Sequence, residues 1–410
     1  MSDGREFDLV LMGATGFTGR LVAEHLLARH GAGGRLRWAL AGRDRDRLAE
    51  VRADLGEAAR ELRLIVADSH DRASLDTLAA QARVVVSTVG PYTLHGSDLV
   101  AACAAAGTDY CDLSGEVPWM QRMIDAHAGT AEASGARIVH CCGFDSIPSD
   151  LGVRLLQQHA QQTIGEPLTR VRLRVKAAKG GLSGGTFASM LNIVEESRRD
   201  PDTARTLKNP YALCAPGARE GVRQPYVSGP KFDPVLASWT APFIMAAINT
   251  RVVHRANALA GYPWGREFRY DEAVLTGSGF GGRAKATMLS LGMGAFALGA
   301  ALAPTRAVLK KMVLPKPGEG PSKEQREAGF FNIVIAGETA DDRRLRLRVR
   351  GDRDPGYGAT SRMLGEAAVL LGETSREATP GGFWTPATAL GEALRARLAE
   401  HAGVTFTPED

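Results

Sequence analysis

Cysteine is scarce here: five in 410 residues, at positions 103, 111, 141, 142 and 214, an odd number with no Cys-x-x-Cys pair. That argues against a disulfide framework and for a reducing cytoplasm. Net charge is also small, formally +4 at pH 7, and no basic tail suited to nucleic acid is present. The polar start, Met1-Ser-Asp-Gly-Arg-Glu6, lacks the apolar segment of a secretory signal. His140 has no His or Glu partner at metal-ligand spacing, so no metal site is read. What remains, 44% hydrophobic and 23% charged residues, is the balance of a globular protein of two or three domains.

The most informative segment is Phe7-Asp-Leu-Val-Leu-Met-Gly-Ala-Thr-Gly-Phe-Thr-Gly19. Leu9 to Met12 read as a buried parallel strand and Arg20 to Ala28 as a helix, with Gly13, Gly16 and Gly19 between them. Strand, glycine turn and helix in this order aim backbone N–H groups and a helix N-terminus at a diphosphate. In such a turn Gly13 permits the sharp bend, Gly16 lets phosphate approach the backbone and Gly19 lets the helix pack on the strand. Ala14, Thr15, Phe17 and Thr18 complete the candidate loop. The plain alternative is a strand–turn–helix whose glycines serve packing alone.

A second strand, Leu36 to Ala41, ends in Gly42-Arg43-Asp44. NAD-preferring units place an acidic residue there for the ribose 2′-hydroxyl. Arg43 suits the 2′-phosphate of NADP instead, through charge-assisted hydrogen bonds, and Asp44 suits the cap of a helix from Arg45 to Leu55. After a third strand, Leu62 to Ala67, Asp68 and Ser69 stand where an adenine lies, although Asp68 serves equally as a helix cap. The fourth strand, Arg83 to Val89, ends in Gly90-Pro91-Tyr92. Ligands of open α/β sheets bind beyond the carboxyl ends of strands, so Ser87, Val89, Gly90 and Pro91 are candidates to border the nicotinamide half.

Two polar clusters follow at successive strand ends: Thr108-Asp-Tyr-Cys-Asp-Leu-Ser-Gly-Glu116 and, after a strand from Ala136 to Cys141, Cys142-Gly-Phe-Asp-Ser-Ile-Pro-Ser-Asp150. They read as a site wall, with Asp145 and Ser146 as site candidates and Asp150 as the cap of a helix from Leu151 to His159. Cys141 and Cys142 read as small buried residues rather than nucleophiles.

Taken together, Gly13 to Gly19, Ala41-Gly-Arg43, Gly90-Pro-Tyr92, Tyr110 to Glu116 and Cys142 to Asp150 resemble the saccharopine dehydrogenase-like oxidoreductases, and among them the bacterial trans-acting enoyl reductases. Gly180 to Thr186 and Gly381-Gly-Phe-Trp-Thr-Pro-Ala387 extend the likeness over nearly the whole chain. The resemblance implies an NADPH-binding Rossmann-type domain, a doubly wound parallel α/β sheet, followed by a second α+β domain. True saccharopine dehydrogenases carry an Asp-Pro-Gly turn where this chain has Asp145-Ser-Ile-Pro148, a departure that counts against an amino-acid substrate. The expected division is a cofactor domain at 1–150, joined by C-terminal helices of about 355–403, and a substrate or dimerisation domain at 151–354.

The second half shows alternating strands at Thr169 to Lys176, Phe330 to Ala336 and Arg344 to Arg350, the last two forming a hairpin. Lys179 to Thr186 reads as a flexible glycine turn before a helix at 187–198. Pro201 to Pro234 reads as an irregular, lid-like excursion. Helices at 361–372 and 388–399 pack back on the first domain by the resemblance. Ala286 to Ala303 carries no charge and is flanked by Arg283, Lys285, Arg306, Lys310 and Lys311. It reads as an element at an anionic lipid surface, a buried core or dimer helix, or a membrane span.

The resulting expectation is an NADPH-dependent reductase that delivers hydride to an activated double bond of a lipid or other apolar substrate. Tyr92, Tyr110 and Asp145 are the candidate proton donors. Neither tyrosine has the Tyr-x-x-x-Lys pair of short-chain dehydrogenases, since Gly96 and Ser114 stand at that spacing. The competing readings are an amino- or imino-acid dehydrogenase and a non-catalytic NADP-binding scaffold at a lipid surface. The partners allowed are a small-molecule or lipid substrate, a peripheral membrane contact through 286–303 and a second copy of the chain, without nucleic acid. The expected location is the cytoplasm, peripheral to the inner face of the membrane if that contact forms.

Overall fold

The computed structural model describes residues 4–181, 184–302, 305 and 320–409. Along the chain the strands are β1 (Phe7–Met12), β2 (Trp38–Gly42), β3 (Arg63–Val66), β4 (Ala82–Ser87), β5 (Asp109–Asp112), β6 (Arg137–Val139), β7 (Arg170–Lys179), β8 (Lys231–Asp233), β9 (Ser238–Pro242), β10 (Arg269–Gly277), β11 (Phe330–Glu338), β12 (Arg344–Gly351), β13 (Gly382–Trp384) and β14 (Val404–Glu409). The helices used below are α1 (Phe17–His30), α2 (Arg45–Asp54), α3 (Arg72–Gln81), α4 (Tyr92–His95), α5 (Ser97–Ala106), α6 (Val117–Ser134), α7 (Ile147–Thr163), α8 (Gly184–Arg199), α9 (Pro201–Lys208), α10 (Ala246–Leu259), α11 (Gly279–Ala301), α12 (Thr360–Glu373) and α13 (Pro386–His401). The chain divides into two compact units.

The first unit takes in the described residues up to Phe144 and returns with Tyr357–Ala402. Its seven-stranded sheet has the order β13-β6-β5-β4-β1-β2-β3, and its paired strands run parallel. Central strands of such a sheet are covered on both faces, which is why β1 is nearly continuous apolar sequence and almost wholly buried. The chain steps outward from β1 to β2 and β3, then crosses back to β4, so the order reverses between β1 and β4. Ligands of doubly wound sheets lie at that reversal, beyond the carboxyl ends of the strands.

Helix α12 is buried almost all round and packs on α1, β4 and β5. Its Glu366 side chain is 1% exposed and accepts from His25 at 2.7 Å and Arg29 at 3.3 Å, and it pairs with Arg397. Burial disfavours this charge, but the hydrogen bonds from His25 and Arg397 win and hold the carboxyl down to about 2. The Gly382–Trp384 strand beside β6 was not expected from the sequence; three residues carry too little periodicity to read.

The second unit, described by itself, holds a seven-stranded sheet of order β14-β12-β11-β7-β10-β9-β8. β7 and β10 are parallel and the other pairs antiparallel, including the β11–β12 hairpin. Helix α7 packs on β11, β12 and β14, and α10 packs on α7 and β10.

Three local expectations change. β7 is covered on both faces rather than one: Arg174 is 4% exposed and pairs at 2.7 Å with both Asp233 and Asp271, and Arg172 pairs with Glu338. Buried arginines with carboxylate partners make the charged face of this strand an interior one. Helix α7 begins at Ile147, with Ser146 in the N-cap position and Pro148 in its first turn, where a missing N–H costs nothing. Asp150 therefore lies inside the helix and does not cap it. The excursion at 201–234 contains α9, capped by Asp200, whose side chain accepts from Asp202 and Thr203 N–H.

Helix α11 covers most of the uncharged stretch; residue 303 and the flanking 306, 310 and 311 lie outside the described residues, as do 182 and 183 of the glycine turn. α11 meets β9 and β10 and has few buried residues, Gly282, Ala286 and Ala300. Phe280 is 88% exposed, Met288 66%, Leu291 69% and Leu298 64%.

Candidate cofactor site

Three strand ends of the first unit are stitched into one rim. Gly13 and Ala14 N–H both donate to Ala41 C=O at the end of β2. On the other side, Thr88 N–H donates to Met12 C=O, and its hydroxyl donates to Met12 and Gly13 C=O. These bonds hold the glycine turn between β2 and β4. Gly13 has φ +90°, and a Cβ there would sit 2.7 Å from Val89 Cγ2. At Gly19 a Cβ would lie 2.2 Å from Gly13 C=O, so only glycine lets α1 begin this close to the strand. Gly16 occupies the N-cap position of α1 without a side-chain cap. It is exposed, and among the described residues a Cβ there would meet Gly13 O alone, at 3.4 Å. That is a bare helix N-terminus with an open approach, suited to a diphosphate. Ala14 is fully buried under the turn, while Thr15, Phe17 and Thr18 are half-buried around it. The Phe17 ring packs edge-on against Tyr357, with centroids 4.8 Å apart.

Arg43 follows β2, is exposed, and has no hydrogen bond or ion pair among the described residues. The carboxylate beside it is committed elsewhere: Asp44 caps α2, accepting from Asp46 N–H at 3.0 Å and Arg47 N–H at 3.1 Å. Asp68 accepts from His70 N–H, and the cap of α3 is Asp71 rather than Asp68. The helix-cap alternative for Asp68 is thereby removed, because the loop runs three residues further before α3 starts. At the β4 exit Ser87 is buried, its hydroxyl accepting from Val89 N–H. Gly90 is exposed, Pro91 half-buried, and the peptide bond between them is cis.

The two candidate tyrosines have their hydroxyls engaged inside the unit. Tyr92 is buried; its hydroxyl donates to Ser87 C=O and accepts from Leu113 N–H. Tyr110 is fully buried and donates to Asp112 Oδ2 at 3.0 Å. Burial, with Asp112 close by, raises both hydroxyls well above the usual tyrosine range. Both protons are spent inside the unit, so neither hydroxyl is presented as a donor. Asp145 differs: half-buried, it has no hydrogen-bond partner among the described residues, and burial pushes its carboxyl up to about 6.

The 110–116 cluster is an internal scaffold rather than a wall of free groups. Asp112 accepts from Ser114 N–H, Cys141 N–H and His140 Nδ1. Glu116 accepts from Tyr92 N–H at 2.7 Å and Thr93 N–H at 2.8 Å, tying down the turn that follows Pro91. The bracing roles of Thr88 and Glu116 were not legible in the sequence because their partners lie 76 and 24 residues away. All five cysteines are buried and none is in a disulfide among the described residues, and burial raises the Cys142 thiol.

An open parallel sheet, a bare helix N-terminus behind a glycine turn at its reversal point, and an unspent arginine at the end of β2 define the cofactor end of a Rossmann-type, NADP-dependent oxidoreductase. Comparison with known proteins agrees. Residues 9–139 match the saccharopine dehydrogenase NADP binding domain. A Mycobacterium tuberculosis protein named, provisionally, as a trans-acting enoyl reductase is 45% identical over 98% of this chain and 97% of its own length. The trans-acting enoyl reductase of Mycobacterium leprae is 39% identical, covering 98% of both chains. Yeast saccharopine dehydrogenase (L-Glu forming) shares the fold, with a TM-score of 0.54 over 98% of this chain and 99% of its own, at 14% identity. The chain belongs to the trans-acting enoyl reductases of the saccharopine dehydrogenase-like family.

Proposed function

We propose that the protein is an NADPH-dependent enoyl reductase acting on a lipid or other apolar acyl substrate. The observation that carries this reading is α11, which leaves Phe280, Met288, Leu291 and Leu298 in solvent along a helix that carries no charge from Ala286 to Ala301. Exposed apolar surface of this extent marks a lipid or partner contact. At 23 residues the helix is about 35 Å long, and Arg283 and Lys285 at its start suit an anionic surface. The names of its relatives support the enoyl reductase part of the reading.

Bound NADPH supplies the hydride, which adds to the β-carbon of an enoyl group while the α-carbon takes a proton. In this reading the glycine turn holds the diphosphate, Arg43 holds the 2′-phosphate, and Asp145 holds the proton on its half-buried carboxyl near neutral pH. NADPH oxidation measured against enoyl thioesters, unsaturated lipids and imino acids tests the proposal. Turnover with enoyl thioesters alone supports it, and turnover with imino acids alone sinks it. Sedimentation with anionic vesicles tests the α11 contact: the parent chain is expected to sediment, and replacing Leu291 and Leu298 with Ser to release it. A parent chain that never sediments overturns the lipid-surface role.

One feature favours the amino- or imino-acid alternative. The second unit has a cavity of about 880 Å³ lined by Lys208, Arg219, Arg223 and Arg251, with Glu220 as the acidic residue among its lining. Arg251 is 7% exposed and donates to Ala247 and Leu207 C=O rather than to a carboxylate. Burial lowers it to about 10. Such a site suits an acidic substrate group, and the same substrate panel decides between the two readings.

A further inference from the structure

Two histidines stand outside both the glycine turn and the polar cluster. His70 lies in the loop between β3 and α3, and His95 closes α4 just beyond β4. In the sheet β3 and β4 are separated by β1 and β2, three inter-strand steps or about 14 Å. The two loops nevertheless meet. His95 Nδ1 and His70 Nε2 are 3.0 Å apart, and the rings pack edge to face with centroids 5.0 Å apart. The contact therefore crosses the carboxyl ends of β1 and β2, the strands that carry the glycine turn and Arg43.

This bridge is not a core contact, since His70 is exposed and His95 half-buried. The groups acting on His95 are an imidazole, a guanidinium and two carboxylates. Burial, then His70 and Arg43, hold its imidazole below the usual histidine range, while Glu116 and Asp68 act the other way. Glu116 is engaged with the Tyr92 and Thr93 N–H groups, and Asp68 with His70 N–H. Two imidazoles and a guanidinium thus converge at one end of the rim. An anion placed among them relieves their repulsion and favours protonated imidazole.

We propose that His70 and His95 form, with Arg43, a clasp over the adenosine end of the bound cofactor, and that the pair takes up a proton when it meets the 2′-phosphate. The proposal rests on the NADP site and adds to it a pH-dependent source of discrimination against NADH. The sign follows from linkage. A ligand that raises a histidine pKa binds more tightly as pH falls toward that pKa, by up to about tenfold per pH unit for each proton taken up. Below about pH 6 the phosphate itself protonates and the gain levels off.

The test is calorimetric titration of NADPH and NADH into the full chain and into H70Q, H95Q and the double variant. For the parent, NADPH affinity is expected to rise about fivefold between about pH 8 and about pH 6.5 with proton uptake, and NADH affinity to change less than about twofold. The double variant is expected to lose that slope, so that its NADPH and NADH affinities vary with pH in parallel. Thermal melts of these variants check that the fold is intact, and single variants that each lose part of the slope support a shared role. Parallel pH profiles for NADPH and NADH, or an unchanged slope in the double variant, overturn the clasp. R43D separates the two arguments: it is expected to lose NADPH preference at every pH, whereas the histidine variants lose only the pH-dependent part. If R43D keeps the preference, the Arg43 assignment fails while the histidine slope still judges the clasp.

Discussion

The two sides of the first unit's sheet present similar sequence and opposite chemistry. On the β1–β2 side, Gly16 and Arg43 are exposed, α1 begins without a side-chain cap, and the arginine has no partner among the described residues. On the β5–β6 side, Asp112, Ser114 and Glu116 are fully buried, and their bonds to His140, Tyr92 and one another's backbone end within the unit. Both sides are rich in glycine and polar residues at strand ends. The difference teaches that a polar cluster marks a binding site only where hydrogen-bonding capacity is left over. Where that capacity is consumed in burial, the cluster is scaffold.

The comparison is broken most severely by removing the scaffold. Glu116→Ala leaves two backbone donors and the Thr93 hydroxyl without their acceptor, and a loss of about 3 kcal/mol is expected in denaturant melts. A loss under about 1 kcal/mol would place Glu116 with the open side instead.

Glu366 tests the same principle with a charge. Its carboxyl is depressed to about 2 when folded and titrates near 4.3 when unfolded. Its contribution is therefore complete above the unfolded value and is lost as pH falls through the folded one. Stability is expected to drop by about 3 kcal/mol across that acid window, and a Glu366→Gln variant, already weakened at neutral pH, is expected to show little of that fall.

On the open side the effects are on binding, not folding. Arg43→Asp is expected to weaken NADPH by about thirtyfold relative to NADH, the worth of about 2 kcal/mol of charge-assisted hydrogen bonding. Its melting temperature is expected to match the parent. The smallest effect is at Asp145, whose raised carboxyl favours the folded state below its unfolded pKa and penalises it as pH rises through about 6. Discounted for partial exposure, Asp145→Asn is expected to gain about 1 kcal/mol at pH 8 while slowing NADPH-dependent turnover. A variant that gains stability at full activity would remove Asp145 from the proton-donor role.

Legibility in the sequence followed range. The glycine turn, the Asp44 cap and the β11–β12 hairpin were readable because their determinants lie within a few residues. The engagement of the Tyr92 hydroxyl was not legible, and β7 was misread as a strand with one covered face, because burial and partners come from further along the chain. No spacing rule announces that His70 and His95 meet 25 residues apart.

By itself, then, the sequence determined the Rossmann-type α/β fold, the glycine turn after β1 and the arginine that suits NADP. These rest on local backbone geometry and short hydrogen bonds, which neighbouring residues specify. Only the tertiary structure decided which polar groups remain unspent. Whether a hydroxyl or carboxylate is free depends on what is packed against it, and its neighbours arrive from distant strands and helices.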